Sequence, residues 1–243
     1  MKGKFLQKLN AFLDRTFCNE KWRCNVCSKE IFSGEYFCDE CLKNLPFNDK
    51  AICSRCGRSL LQNQDGCLTC NNWLLYLDKS RSVFNYENPI KLLIKSAKYD
   101  NKKYLLKIFA EYLVELYAKS PFECDAICYV PMTKRAEKKR GYNQSKIMAE
   151  IVANKLDLPV LNCIEKTKDT LKQSKLVRKE RLKNLRHSFK VDKKLVKGKN
   201  ILLIDDVTTT GATAETIAEK LKKGGAKTVN LITVASVPSK DRY

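Results

Sequence analysis

The stretch Ile201-Leu202-Leu203-Ile204-Asp205-Asp206-Val207-Thr208-Thr209-Thr210-Gly211-Ala212-Thr213 decides the fold predicted for this 243-residue chain. Its first four residues are large and apolar, which is typical of a strand buried on both faces of a parallel sheet. The aspartates, threonines and glycine that follow predict a turn leading from that strand into a helix. Ligands of open parallel sheets bind where such turns leave the carboxyl ends of the strands. The stretch therefore predicts a buried strand that carries a ligand-binding turn.

The polar residues of this turn favour an anionic ligand that also carries hydroxyl groups. Two adjacent carboxylates are costly to bury without a polar partner, and either a vicinal diol or a bound cation would supply one. Backbone N–H groups from Thr209 to Thr213 are free at the start of a helix, and with the helix dipole they can bind a phosphate. An ordinary helix cap would account for one aspartate and one threonine, but not for the whole set.

The same run resembles the signature with which type I phosphoribosyltransferases bind phosphoribosyl pyrophosphate (PRPP). In that family the acidic pair holds the ribose 2- and 3-hydroxyls, and the following turn holds the 5-phosphate. The resemblance also implies Mg2+ on the pyrophosphate. It assigns PRPP binding to Asp205, Asp206, Thr208, Thr209, Thr210, Gly211, Ala212 and Thr213.

Apolar periodicity elsewhere predicts strands that alternate with helices. Strands are expected at 81–86, 126–130 and 229–235, and helices after Pro89, over 104–117, after Gln144 and over 214–223. Such alternation is typical of an α/β fold with an open, mostly parallel sheet. We expect a phosphoribosyltransferase-like domain over residues 76–243, preceded over residues 1–75 by an amphipathic helix and a cysteine-rich domain.

Eight of the twelve cysteines form two copies of one pattern, shifted by 29 residues. A tetrahedral zinc held only by thiolates needs two Cys-x-x-Cys pairs, so eight cysteines predict two closed structural sites. The spacing leaves open whether the pairs combine within each copy or between copies, and iron–sulfur ligation is the lesser alternative. The region has few apolar residues, so we expect the metal to supply folding energy. The proposed ligands are Cys24, Cys27, Cys38, Cys41, Cys53, Cys56, Cys67 and Cys70.

The remaining cysteines, Cys18, Cys124, Cys128 and Cys163, are interpreted as free thiols, most simply buried ones. A nucleophilic Cys/His pair would need His187, the only histidine of the chain. Because His187 lies inside a strongly basic segment with no supporting motif, the sequence does not favour such a pair.

The chain is strongly basic, with a formal net charge of +20. Residues 133–199 carry 21 Lys or Arg against 7 Asp or Glu, so most of the excess lies in one part of the chain. A charge of this size favours polyanionic partners, although lysines on a solvated surface are the simpler alternative. DNA binding through the phosphate backbone is therefore one expected use of this segment.

A second resemblance covers essentially the whole chain. A strand ending at Pro131, a basic loop, the segment Arg140-Gly141-Tyr142-Asn143-Gln144, the acidic turn and a cysteine-rich head occur in the order seen in the ComF family of competence proteins. By analogy with related phosphoribosyltransferases, this resemblance implies that Lys134 and Arg135 in the basic loop contact the pyrophosphate. It also implies a flexible loop over the reacting carbon, for which the candidate catalytic residues are Gln173, Arg181 and Asn184.

The resemblance implies a PRPP-binding protein that handles single-stranded DNA during natural transformation, with a competence helicase among its possible partners. An active phosphoribosyltransferase of nucleotide or base salvage is the alternative, and the sequence leaves open whether catalysis occurs at all. A third alternative is a DNA-binding or assembly module in which the ligand turn has only a structural role. No apolar run is long enough for a transmembrane helix, and the amphipathic N-terminus is too polar for a signal peptide, so a cytoplasmic location without membrane insertion is expected.

Overall fold

The computed structural model describes residues 23–32, 35–62, 67, 70, 75–168, 185 and 187–239. The chain divides into two compact units, Met1–Leu45 and Pro46–Tyr243. The first unit contains the first four cysteines of the repeat and a short helix, α1 (Asp39–Lys43). The second unit contains the other four and the whole main sheet. The domain boundary expected after residue 75 stays a prediction.

The second unit is built on a parallel sheet of four strands, beside a small antiparallel pair of strands. All connections within the main sheet are crossovers, as parallel pairing requires. The strands are β1 (Lys79–Asn85), β2 (Ala126–Tyr129), β3 (Ile164–Lys166), β4 (Phe189–Val191), β5 (Asn200–Thr208) and β6 (Thr228–Ser236). Their order in the main sheet is β1-β6-β5-β2, and β3 pairs with β4.

Helices lie between the strands, as the alternation in the sequence predicts. Two of them, α3 (Tyr104–Lys119) and α5 (Gln144–Leu156), pack on each other and on strands of the main sheet, whereas α7 (Ala212–Lys223) contacts β6 and β4. Within the described residues, no helix combines the length and apolar character needed to cross a membrane. The helices of this unit are α2 (Ile90–Tyr99), α3 (Tyr104–Lys119), α4 (Lys134–Arg140), α5 (Gln144–Leu156), α6 (Lys193–Val196) and α7 (Ala212–Lys223).

The apolar run of β5 is completely buried, as its sequence predicts. Ile201 and Leu203 belong to a core cluster with Ile217 and Leu221 of α7. The intervening side chains of β5 point to the opposite face because side chains alternate along a strand. The cysteines at 53, 56, 67 and 70 belong to the same cluster as α7, so the second cysteine site is part of the main core.

The α/β prediction and the parallel sheet are confirmed, but two local predictions are wrong and one pair of strands was not predicted. Strand β5 continues through the acidic pair to Thr208, because its partner β6 pairs with it as far as Ser236. The basic loop after Pro131 is helical in α4, because Thr133 caps its first turn and Gly141 ends it with φ 86°. The short β3–β4 pair lacks a sequence pattern long enough to predict.

Candidate functional site

The acidic pair lies at the carboxyl edge of the sheet, near the end of β5. Strand β2 runs parallel beside β5, with Tyr129 opposite Ile204, so both strands end at the same edge. The N–H of Val130 donates to the carbonyl of Ile204 at 3.0 Å and continues that pairing beyond β2. The segment 133–145 therefore leaves the sheet beside the acidic pair, which is the position at which open α/β sheets bind ligands.

Asp206 is neutralised by a lysine that the sequence analysis missed. Lys98 Nζ of α2 lies 2.5 Å from Asp206 Oδ2, and both side chains are largely buried, at 20% and 14% exposure. Gln144 Nε2 approaches the same oxygen at 3.5 Å. The hydroxyl of Tyr142 donates to the carbonyl of Ala97 and so ties the end of α2 to the start of α5. The Arg-Gly-Tyr-Asn-Gln motif therefore supports the acidic pair.

Asp205 has neutral partners. Ser145 Oγ donates to Asp205 Oδ1 at 2.8 Å, and the N–H of Asp206 donates to the same oxygen at 2.9 Å. Burial and the neighbouring Asp206 charge raise the pKa of Asp205 to about 7, although the Ser145 hydrogen bond and Lys98 oppose the shift. Among the described residues, no hydrogen bond reaches Asp205 Oδ2 or Asp206 Oδ1. One oxygen of each carboxylate can thus accept a hydroxyl of a diol.

The raised pKa of Asp205 predicts a pH-dependent difference in stability between the wild type and Asp205→Asn. The folded-state pKa, about 7, exceeds the ordinary value of 3.8, so the folded protein holds more protons between these pH values and the wild type loses stability as pH rises through them. Urea denaturation from pH 4.5 to 8 should show the variant gaining on the wild type up to about pH 7, by at most about 1.4 kcal/mol per pH unit, and no further gain above it. A difference independent of pH would contradict the assignment.

The turn after β5 has the geometry of a helix start. Gly211 caps α7 with φ 82°, a conformation that disfavours residues with a side chain. Thr210 Oγ1 accepts a hydrogen bond from the N–H of Ala212 at 3.3 Å, and Thr209 is exposed. The turn therefore presents backbone N–H groups and threonine hydroxyls beside the acidic pair, which are the donors that a phosphate needs.

The two cations assigned to the pyrophosphate lie on the first turn of α4. Lys134 and Arg135 are both exposed, at the helix that follows the carboxyl end of β2. Their contact with a pyrophosphate stays a prediction. Gln173, Arg181 and Asn184 lie outside the described residues.

Each copy of the cysteine repeat forms its own cluster. The Sγ atoms of Cys24, Cys27, Cys38 and Cys41 lie within 4.8 Å of one another, and so do those of Cys53, Cys56, Cys67 and Cys70. This arrangement answers the question of pairing that the sequence leaves open, in favour of pairing within each copy. Four sulfurs around one zinc, at about 2.3 Å each, would lie about 3.8 Å apart. The Sγ separations of 3.7 Å for Cys27–Cys38 and 3.5 Å for Cys56–Cys67 fit that geometry.

The two clusters differ in burial. All four cysteines of the second cluster are buried, whereas Cys27 of the first is exposed. Arg81 on β1 lies close to the second cluster: burial lowers the pKa of its guanidinium, and the charges of Cys53 and Cys56 oppose that shift. A zinc bound by these four thiolates would carry a net negative charge, which this partly buried cation would offset.

The cysteines outside the repeat that are described here are free thiols, as predicted. Cys128 and Cys163 are buried with their Sγ atoms 3.4 Å apart, and Cys124 is partly buried. His187 is exposed on the turn before β4. Cys18 lies outside the described residues.

Sequence reasoning identified the acidic turn but not all of its supporting residues. Ser145 follows the quoted motif directly, yet its hydroxyl could have been assigned only once α5 was known to start against β5. Lys98 follows the buried Ala97 on an amphipathic helix, where a lysine is normally a solvated residue. Only the tertiary fold brings it to Asp206.

Comparison with family models agrees with both parts of the chain. Residues 142–242 match the phosphoribosyl transferase domain, and residues 12–71 match the double zinc ribbon domain. The first match covers α5, β5, the acidic turn, α7 and β6, and the second covers both cysteine clusters. The chain therefore has one region similar to the phosphoribosyl transferase domain and another similar to the double zinc ribbon domain, and the two cysteine clusters fit two zinc ions.

Similar proteins carry names connected with competence and DNA use. Competence protein F of Haemophilus influenzae is 29% identical, over 86% of this chain and 87% of that protein. Competence protein ComFC of Bacillus subtilis is 28% identical, over 89% and 92% respectively. DNA utilization protein YhgH of Escherichia coli O157:H7 is 27% identical, over 86% and 94%. The resemblance to the ComF family is confirmed along most of the chain.

Proposed function

We propose that this chain, a member of the ComF family of competence proteins, binds PRPP and handles single-stranded DNA during natural transformation. The observation that carries the proposal is the acidic pair at the end of β5 beside the Gly211 turn. Asp205 and Asp206 each keep one oxygen available for a hydroxyl, and the turn offers N–H groups for a phosphate. PRPP has both a vicinal diol and a 5-phosphate, so it matches the two halves of the site.

The remaining site residues would each bind or support one part of PRPP or a metal ion. Thr208 to Thr213 would hold the 5-phosphate, and Lys134 and Arg135 would reach the pyrophosphate. Lys98 would hold one oxygen of Asp206 and leave the other oxygen free to accept a ribose hydroxyl. Mg2+, when bound with PRPP, would neutralise charge on the pyrophosphate oxygens. Zinc in the two cysteine clusters would be structural because four thiolates leave no open coordination position.

PRPP with Mg2+ is expected to raise the melting temperature of the zinc-loaded protein. A ligand that binds only the folded state at 100 times its dissociation constant adds about 2.7 kcal/mol of stability, or several degrees for a chain of this size. The measurement is a thermal unfolding series with increasing PRPP at fixed Mg2+, with Mg2+ alone as the control. Identical melting curves in all samples would refute PRPP binding.

Charge on α4 supports the proposed contact with single-stranded DNA. Lys134, Arg135, Lys138 and Lys139 are exposed on this helix of seven residues. Tyr99, 63% exposed, lies next to it with the Arg140 guanidinium 5.3 Å from the ring centroid. Exposed cations bind the phosphate backbone, and an exposed aromatic ring beside them can stack on a base. The described residues therefore include a surface of the required kind, in addition to the charge of residues 166–199, where the sequence has 14 Lys or Arg against 3 Asp or Glu.

Replacing Lys138 and Lys139 together with alanine should weaken binding to an unstructured oligonucleotide and flatten its salt dependence. Each lost phosphate contact lowers the slope of log affinity against log salt by about 0.7 for a single strand, so about 1.4 is expected for the pair. Fluorescence anisotropy across a salt series measures this slope. Lys107→Ala with Lys119→Ala, on the exposed side of α3, removes the same charge and should leave the slope unchanged. Equal slopes for all three proteins would exclude α4 from the DNA contact.

The alternative function is an active phosphoribosyltransferase of nucleotide or base salvage. The phosphoribosyl transferase domain favours it because the acidic turn is compatible with transfer as well as with binding. Gln173, Arg181 and Asn184 remain the candidate catalytic residues. Incubation of PRPP and Mg2+ with a panel of bases, followed by measurement of pyrophosphate release, separates the two. Release with one base would establish an enzyme, whereas saturable binding without release would establish a binding protein.

The proposed setting is the cytoplasm, where incoming single strands meet the proteins of DNA uptake, among them a competence helicase. The names of the relatives support a role connected with DNA. Transformation frequency after deletion of the gene, restored by the wild type but not by a variant lacking the acidic pair, tests this role. Restoration of the transformation frequency by that variant would show that transformation does not need PRPP binding.

A further inference from the structure

The second cysteine cluster is linked to the ligand turn by one buried arginine. Arg58 follows Cys56 and Gly57, and it is only 5% exposed. Its Nη2 donates to the carbonyl of Thr209 at 2.5 Å, and its Nη1 donates to the carbonyl of Val237 at 3.3 Å. The N–H of Val237 in turn donates to Thr208 at 3.0 Å. The guanidinium therefore joins the cysteine cluster, the chain after β6 and the first residue of the turn.

The cysteine cluster that carries Arg58 is fixed against the sheet. Gly57 has φ +66°, and a Cβ added there would lie 2.3 Å from the carbonyl oxygen of Ser80 on β1. The N–H of Ser80 donates to the carbonyl of Arg55 at 2.9 Å. Such a close backbone contact leaves little freedom for the cluster to move, so the backbone of Arg58 is held in a fixed position relative to β1.

A second link joins the same region to the helix that follows the turn. The Glu215 carboxylate, in the first turn of α7, accepts hydrogen bonds from the N–H groups of Leu75 at 2.7 Å, Tyr76 at 2.9 Å and Leu77 at 3.1 Å. Glu215 is 6% exposed, so these bonds satisfy a buried charge. Arg58, within the second cysteine cluster, therefore holds the first residue of the turn, and the segment 75–77, just after the cluster, holds the helix that follows the turn.

We infer that Arg58 is a positioning residue for the phosphate-binding turn, through which the second cysteine cluster sets the affinity for the ribose 5-phosphate part of the ligand. The inference rests on the proposed PRPP binding. In a trans peptide the C=O and the following N–H point in opposite directions. Because Arg58 holds the Thr209 carbonyl, the Thr210 N–H points away from the guanidinium, which leaves it available to an anion. The guanidinium behind the turn also adds positive potential to the site.

The test is calorimetric titration of zinc-loaded Arg58→Ala with PRPP, ribose 5-phosphate and pyrophosphate, each with Mg2+. Affinity for PRPP and ribose 5-phosphate should fall roughly tenfold or more, as expected for losing a charged hydrogen bond that fixes the turn. Affinity for pyrophosphate, which would bind by α4, should stay within about twofold. Zinc content should remain at the wild-type value, since the cysteine ligands are untouched. Lys79→Ala, exposed at the start of β1, removes the same charge and should bind all three ligands like the wild type.

Two results would overturn the inference: wild-type affinity for ribose 5-phosphate, or an equal loss for ribose 5-phosphate and pyrophosphate, which would indicate a general structural effect. If Arg58→Ala does not fold, Arg58→Lys is titrated in its place, with the same expected affinities. A lysine keeps the positive charge, but its single ammonium cannot bond both carbonyls. A wild-type protein that binds neither PRPP nor ribose 5-phosphate would instead refute the proposed function itself, before any variant is compared.

Discussion

Replacing Asp205 and Asp206 together with asparagine is expected to abolish PRPP binding, with a loss of affinity of about 100-fold or more. Each carboxylate would accept a ribose hydroxyl, and a hydrogen bond to a charged group contributes about 1.5–3 kcal/mol. The loss also leaves Lys98 buried without its partner, which misplaces the end of α2. Titration calorimetry with PRPP and Mg2+ measures the affinity, and elemental analysis measures the zinc content, which should not change.

The matched control removes two negative charges elsewhere. Glu150→Gln with Asp157→Asn makes the same kind of change at two exposed positions of α5 and its C-terminal end, five and twelve residues beyond Ser145. This control should bind PRPP like the wild type. If the asparagine pair at 205 and 206 keeps the wild-type affinity, the acidic pair has been assigned the wrong role.

Loss of the second zinc site should destabilise the main unit, whereas loss of the first should not. Cys67→Ser with Cys70→Ser removes half of a cluster that is completely buried in the core beside α7. The free energy of unfolding of this unit should fall by about 3 kcal/mol or more, or roughly 10 °C in melting temperature. Thermal unfolding followed by near-UV circular dichroism reports on the main unit, and elemental analysis should show that one of two zinc ions is lost.

The comparison is the equivalent pair in the first cluster, Cys38→Ser with Cys41→Ser. These cysteines are partly exposed and belong to the other compact unit. This variant should also lose one zinc ion, but the melting temperature of the main unit should change by no more than about 2 °C. Equal destabilisation by the two variants would contradict the assignment of the second cluster to the main core.

The fold was predictable because its main signals are local. The apolar run 201–204, the apolar face of α3 and the ends set by Pro89 and Ser120 each lie within one element. The cysteine spacing predicted the two clusters for the same reason, since each Cys-x-x-Cys pair is a local unit. Strand ends were less predictable: β5 extends past Asp206 because β6 offers hydrogen bonds there, which the residues of β5 alone do not indicate.

The site was only partly predictable because its supporting residues come from distant parts of the chain. Lys98, Ser145 and Arg58 meet the acidic turn across separations of roughly 60 to 150 residues. In sequence each resembles a common residue: a lysine on a helix, a serine at a helix start and an arginine after a metal ligand. The division of the cysteine region also depends on packing, because the two copies have the same spacing, yet the second belongs to the main core cluster and the first to the other compact unit.

The central claim is that the acidic turn is a PRPP site, and titration of the zinc-loaded wild-type protein with PRPP and Mg2+ tests it most directly. We predict saturable binding with one PRPP per chain, competed by ribose 5-phosphate, which would occupy the diol and phosphate positions of the same site. The absence of saturable heat over a millimolar range of PRPP would contradict the claim, as would binding that ribose 5-phosphate does not compete.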